Sequence, residues 1–578
     1  MWDSIRLALV VAIALLVSRP LSAREPGRPF DARGGDQAFS LALHVHGSFS
    51  EGMGSMEWHT AQARALGLDA IWWTDHDWRV EHWQHTRRFD FEAAVWDAEN
   101  LWIVEPDDAF PFQFRRWEVG PTPTASIADS LAYEGSRSMR VEYEDPSNWP
   151  VFYPVSATQV SSQFHNMYKL GARVRLHFAL FPEQLDEEDA RVVLQVRLSQ
   201  HENDWHVLRY VIGTMEDEGA HSIPLPCQIG QWNVYDVDLT RDAIQHFTTG
   251  GADTLRAEDN SMFEVSLELM QRRSARTVVF LDDYRIVTDD PSGAQMMDKA
   301  REIGAYYETT HPGVRQLVGT EVSRFKAQPH LNGYGPNLQL VDYGDHTFSD
   351  SIHYAVEQLH AQGAIVSMAH AYGVGFGVYG VPQTPEEIAE RVEYTKLGML
   401  LTRAYDCDLF EAGYRVRNGI ELADYIDTWD TVTGNAIFVT GNGITDTHGS
   451  TFLHGWGPWQ PGNQNFENNF VTWVWAPELT EAALLDPLRG GRAWFGDPWA
   501  WSIDGTIDLA TMDGFRMGSV VLTDRPSHDL VVQVTDVPPD VEVRLRQGEI
   551  REVPVGDYLD VHFLRDELLA GGVSGTVF

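Results

Sequence analysis

The chain has 578 residues, with 43 Lys+Arg against 84 Asp+Glu and a formal net charge of −41. That length suits about three or four domains, and an apolar share of 43% with 11% aromatics fills several cores, which excludes wholesale disorder. The acidity excludes a nucleic-acid binder as well, because a phosphate backbone is repelled unless a basic stripe overrides the field. No such stripe is present; Arg87-Arg88 and Arg272-Arg273 are isolated pairs.

Residues 1–23 read as a secretory leader. Arg6 precedes an apolar run from Leu7 to Val17, too short to cross a bilayer, and Leu21-Ser22-Ala23 offers a small residue for cleavage. The mature chain is therefore expected to be exported, periplasmic or secreted, with no membrane span. Cys227 and Cys407 stand far apart and make neither a disulfide scaffold nor a thiolate metal cluster. Any metal must use His and carboxylates.

Two textures then alternate along the chain. Helical stretches lead into apolar strands at Ala61–Leu68 and Asp69–Trp73, Met296–Tyr307 and Gln316–Gly319, Ser351–Gln362 and Ala364–Met368, and Asp424–Thr433 and Ala436–Thr440. A repeated helix-then-strand order predicts an α/β unit with a parallel sheet or barrel. Residues 95–289 instead carry many short alternating runs, such as Ser138–Tyr143, Val192–Leu198 and His206–Ile212, and predict an antiparallel β-sandwich inserted into that unit. The organisation expected is a barrel in two parts, 38–94 and 290–485, the insert at 95–289, and a β-rich C-terminal domain at 486–578.

The chemistry gathers at strand ends. In Leu41-Ala-Leu-His-Val-His46 the alternation places His44 and His46 on one face of one strand. Further apolar runs finish in ligand-type residues: Ile71-Trp-Trp-Thr-Asp-His76, Leu317-Val-Gly-Thr-Glu321, Ile365-Val-Ser-Met-Ala-His370, and Ile437-Phe-Val-Thr followed by Asp446-Thr-His448. C-terminal strand ends converge on the active site of an α/β barrel. A converging set of imidazoles and carboxylates is stable when metal cations neutralise it. Trp72 and Trp73 lie inside a strand and are read as packing; Asp75 and Asp77 either orient His ligands or cap a strand.

On these residues the sequence resembles the PHP (polymerase and histidinol phosphatase) superfamily of metal-dependent hydrolases. The segments are His44-Val-His46, Thr74-Asp-His-Asp77, Gly319-Thr-Glu321, His330-Leu-Asn-Gly-Tyr334, Ala369-His370 and Thr445-Asp-Thr-His448, in the family's order. Leu488-Arg-Gly-Gly-Arg-Ala-Trp494 and the strands after it look like the tail of the carbaryl-hydrolase-type branch. The insert, ending Phe280-Leu-Asp-Asp-Tyr284, is similar to jelly-roll carbohydrate-binding modules. The resemblance implies a distorted seven-stranded, TIM-like (β/α) barrel holding two or three divalent ions of zinc, manganese or iron. It assigns His44, His46 and Asp446 to a first metal, with Glu321 bridging to a second held by His330 and His370. His76, His448 and Glu51 would hold a third; Glu51 departs from the family, which usually has Asp or His there.

The reaction this implies is attack of metal-bound hydroxide, held at Glu321 and Asp446, on a phosphoester of a small molecule or a glycan-linked substrate. Arg324 and Lys326 are candidate contacts for phosphate oxygens, or else solvated loop charges. Two other readings stay open: a carboxylic ester or carbamate hydrolase, and a catalytically idle glycan-binding or scaffold protein.

Overall fold

A computed structural model describes residues 35–537, apart from 51, 82–85, 98–101, 105–111, 114–123, 146–152, 161–167, 187, 202–203, 214–220, 249–253, 272–274, 324–328, 344–350, 374–383, 418, 450–465, 468–469 and 499–500, together with 544. The leader at 1–23, Glu51, Arg324 and Lys326 lie outside the described residues. Two compact units divide the chain. The first takes Met1–Val45, Thr60–Asp77 and Glu308–Phe578, and the second His46–His59 and Trp78–Tyr307.

The first unit is built on a ten-stranded sheet. Its path runs Arg315–Val318, Ala70–Trp73, Gln37–Val45, Thr440–Thr447, Leu409–Gly413, Ile365–Ala369, His330–Tyr334 and Thr320–Val322. Only Gly319 separates the first and last of these strands in sequence, so the path nearly closes on itself. Val471–Ala476 pairs antiparallel with Gln37–Val45, and Ala493–Gly496 pairs antiparallel with Val471–Ala476. Leu41, Leu43, Trp72, Ile365, Val366, Leu409, Phe410 and Ile444 are among the strand residues that fill its core.

This corrects the expectation of an α/β fold with a TIM-like barrel. Among the described residues strand exceeds helix, 39% against 27%, and the sheet is mixed. Pairing is parallel from Arg315–Val318 to Ile365–Ala369, but His330–Tyr334 runs antiparallel to both its neighbours. The reason is connection length. Seven residues lie between Val322 and His330, and a parallel crossover needs a dozen or more, usually a helix. A hairpin is what so short a link permits. The helix-then-strand pattern gave no warning of it.

Helices in this unit start where capping chemistry allows. Pro385–Thr402 opens with Pro at its first position and a reciprocal cap between Thr384 and Glu387, and Thr480 accepts from Ala483 N at the start of Glu481–Arg489. No described helix is long and apolar enough to cross a membrane.

The second unit has two sheets sharing one apolar core. One has six strands, centred on Arg175–Gln184 and Ala275–Val287; the other has eight, centred on Ala190–His201 and Glu264–Gln271. Met139, Val141, Leu176 and Phe178 from the first sheet pack with Val192, Leu194, Leu208 and Tyr210 from the second. The described strands of these sheets pair antiparallel, except Asp204–Ile212 with Ser222–Leu225, and the isolated bridge Gly54↔Gln200 is parallel too. Within this unit, Gln200 N donates to Met53 O at 2.7 Å and Ser55 N to Gln200 O at 3.0 Å. Buried Asp259 accepts from Ser48 Oγ, Met56 N, Glu57 N and the Tyr307 hydroxyl, so the start of helix Met56–Leu66 is capped from a distant part of the chain.

Candidate metal centre

Strand termini of the first unit deliver the side chains. His44 lies one residue before the end of Gln37–Val45, Glu321 within Thr320–Val322, His330 at the head of its strand, and Asp446 within Thr440–Thr447. His370 follows Ile365–Ala369 directly, and His76, three residues past Trp73, bridges in parallel to Glu321. The strand carrying Asp446 begins at Thr440, where the sequence reading had the strand end. Its Thr-Gly-Asn-Gly start reads as loop. The glycines are there for closeness: a Cβ on Gly443 would meet Phe495 Cβ at 2.8 Å and Phe470 Cβ at 2.9 Å.

The backbone is forced at this site. His44 (φ 61°), His370 (φ 29°) and Asp446 (φ 48°) all occupy the left-handed region, which costs a non-glycine residue roughly 1–3 kcal/mol. Against Ala70–Trp73, His44 is also the extra residue of a bulge, since pairing passes from Leu43↔Trp72 to Val45↔Trp73; against Thr440–Thr447 the extra residue lies on the partner strand, where pairing passes from Leu43↔Ile444 to Val45↔Thr447. The plain alternation expected of His44 and His46 therefore breaks here, because a bulge re-aims the side chain.

Glu321 is fully buried and gathers four imidazoles. His330 Nδ1 lies 2.6 Å and His370 Nε2 3.0 Å from Oε1, while His76 Nδ1 lies 2.8 Å and His44 Nε2 3.5 Å from Oε2. Asp446 Oδ1 is 3.2 Å from His44 Nε2 and 3.5 Å from His448 Nδ1; its Oδ2 pairs with Arg417. Buried in the same cluster, Glu411 accepts from His44 Nδ1 at 2.7 Å. His46 is buried just beyond the strand with its Nδ1 3.2 Å from Ser50 Oγ, in the chain segment that belongs to the second unit.

Charge settles around these contacts. Burial works against ionised Glu321, yet His76, His330 and His44 hold its carboxyl well below the usual range. Burial would likewise lower His44, but Glu411 and Glu321 outweigh it and lift the imidazole to about 9. Burial, then the Arg417 and His330 charges, keep His370 well below an ordinary histidine. Among the described residues of the first unit, two groups have donor atoms within 4.8 Å of one another: His44 with His370 and Asp446, and His76 with Glu321 and His330. The donors are nitrogen and oxygen without sulfur, a set suited to zinc, manganese or iron. His370 Nδ1, buried, has no hydrogen-bond partner among the described residues. A divalent cation fits this chemistry.

Glu411, Arg417 and Tyr414 escaped the sequence reading. Leu409-Phe-Glu411 carries the same signal as the other ligand-ended runs, an apolar strand meeting an acid. It was hidden by what precedes it, four consecutive left-handed residues at Arg403–Asp406. Asp77, left open between two roles, accepts from Ser323 N at 3.1 Å and from the Tyr343 hydroxyl, and so ties a loop. Trp72 and Trp73 are buried, as packing requires.

No family model matches the chain, and no curated protein matches it. Solved structures align over about a third of it. The CBM22-1 xylan-binding domain from Paenibacillus barcinonensis is 9% identical, covering 29% of this chain and 83% of that one, with a TM-score of 0.17. The family 11 carbohydrate-binding module of a Clostridium thermocellum cellulosomal cellulase is 9% identical, covering 32% and 91%, with a TM-score of 0.20. The glycoside hydrolase domain of Endo-D from Streptococcus pneumoniae is 12% identical, covering 36% and 28%, with a TM-score of 0.21. TM-scores this low assign neither a fold nor a family.

Proposed function

We propose that the first unit is a metal-dependent hydrolase whose substrate is a phosphoester. The observation that carries this reading is the burial of Glu321 within 3.5 Å of the imidazoles of His44, His76, His330 and His370. The residues that would hold two or three divalent cations are His44, His370 and Asp446 in one group and His76, Glu321 and His330 in another, with His448 beside Asp446. Bound there, such cations supply Lewis acidity toward an ester oxygen and make water more acidic. The chain's own part is positioning. Glu321 draws the rings together, Arg417 orients the Asp446 carboxylate, and burial keeps the donors out of bulk water, where their charges would be weakened. The resemblance in motif order to the PHP superfamily supports the same reaction class.

Elemental analysis of the purified full chain, paired with phosphomonoester, phosphodiester, aryl ester and carbamate substrates in Mn²⁺ or Zn²⁺, tests the proposal. The expected result is at least one ion per chain and turnover of a phosphoester. Turnover confined to the carbonyl substrates replaces the phosphoester reading. Less than one ion per chain overturns the enzyme reading altogether.

A further inference from the structure

We infer that Glu411 is a positioning residue of this metal centre, fixing His44 in the tautomer that presents Nε2 as a lone-pair donor to a divalent cation. The inference rests on the metal-centre reading just given and names a part that the strand-end motifs do not contain.

Glu411 is fully buried within the Leu409–Gly413 strand, and its two oxygens take four donors. Oε1 accepts from His44 Nδ1 at 2.7 Å and from Asn332 Nδ2 at 2.8 Å. Oε2 accepts from His370 N at 2.8 Å and from the Tyr414 hydroxyl at 2.5 Å. With four donors facing its two oxygens, the carboxyl group of Glu411 acts as acceptor throughout, so the proton of this contact sits on His44 Nδ1. The other ring nitrogen then faces the acidic side of the cluster, 3.2 Å from Asp446 Oδ1 and 3.5 Å from Glu321 Oε2. The same carboxylate holds the backbone N–H of His370, whose φ is 29°. Glu411 thus secures two members of the His44, His370 and Asp446 group while standing outside it. Ligating histidines commonly donate their second ring N–H to a carboxylate, and losing it weakens metal binding about 10–100-fold.

The test titrates Co²⁺ into chelator-stripped, full-length protein and follows visible absorption. It compares the unaltered chain with Glu411→Gln and Tyr414→Phe, each checked for folding by circular dichroism. Gln has one acceptor oxygen where Glu has two, so it cannot accept from His44 Nδ1, Asn332 Nδ2, His370 N and the Tyr414 hydroxyl together, and an amide N–H turned to Nδ1 favours the tautomer with its proton on Nε2. The expected result is Co²⁺ binding weaker by about 10–100-fold, with an altered absorption band, in Glu411→Gln. Tyr414→Phe, which removes a donor from the other oxygen only, is expected to bind as the unaltered chain does. Equal affinity in Glu411→Gln overturns the inference, and so does an equal loss in Tyr414→Phe, which marks packing rather than positioning. Should Glu411→Gln not fold, Asn332→Ala removes the amide that shares Oε1 with His44; a smaller loss of the same kind supports the role and unchanged affinity overturns it. An unaltered chain that takes up no Co²⁺ overturns the metal-centre reading itself, a result distinct from failure at Glu411 alone.

Discussion

Glu321 concentrates the chemistry of the first unit into one carboxylate. With no exposed surface and four imidazoles about it, its charge is stabilised by ring nitrogens rather than by water. Glu321→Gln keeps the shape and removes the charge. Its expected outcome is an unchanged circular dichroism spectrum, a fall in bound metal and loss of turnover; full metal content and activity in that variant contradict the assignment. Much of the cluster was legible in the sequence, because His44, His76, Glu321, His370 and Asp446 each close or follow an apolar run, and strands expose their ends. Glu411 and Arg417 were not legible, because they belong to a five-residue and a two-residue strand set off by turns rather than by a helix. The bulge at His44 was hidden too, since backbone strain leaves no compositional mark when a histidine, and not a glycine, bears it.

Elements of the first unit are tied by contacts that no local pattern announces. Asp408 accepts from His360 Nε2 at 2.8 Å, Val366 N at 2.9 Å and Arg489 Nε at 2.9 Å, and so links helix Ser351–Ala361, strand Ile365–Ala369 and helix Glu481–Arg489. Burial opposes its charge, but these donors hold its carboxyl below the ordinary 3.8. A depressed carboxylate contributes stability that is present above its unfolded value and is lost as pH falls through the folded one. Thermal melts of the unaltered chain and Asp408→Asn should therefore differ by a constant gap above about pH 4, and the gap should narrow below it. A gap that does not change with pH refutes the linkage. Gly443→Ala probes the strand Thr440–Thr447, which begins where the sequence pattern ends one. Its new Cβ meets two other Cβ atoms at 2.8 and 2.9 Å, and overpacking of this kind costs about 1–3 kcal/mol. A lowered denaturation midpoint checks it. Helix positions were the more readable part: Gly293–Thr310 and Leu422–Gly434 fall where periodicity predicts them, whereas the sense of strand pairing depends on partners distant in sequence.

At the scale of the whole molecule, the two units differ in what they bury. The second packs an apolar core between its sheets, whereas the first adds to its apolar core a cluster in which Glu321, Glu411 and Asp446 meet five imidazoles and Arg417. A cation bound in that cluster stabilises only the structure that assembles the ligands, by about 2.7 kcal/mol at a concentration 100 times its Kd. Scanning calorimetry of the full chain, before and after chelation and after return of Zn²⁺ or Mn²⁺, reads this directly. The expected outcome is a transition that falls on chelation, recovers with metal, and is absent from the metal response of Glu321→Gln. Heat absorbed by the sandwich should stay where it was, because the apolar cluster between its sheets includes none of these ligands. The formal charge of −41 supplies the control. Self-repulsion is screened by salt for the chain as a whole, so added NaCl should raise every transition, in the variant as in the unaltered chain. A chelation response that NaCl alone reproduces would reduce the effect to screening, and with it the case for a bound cation.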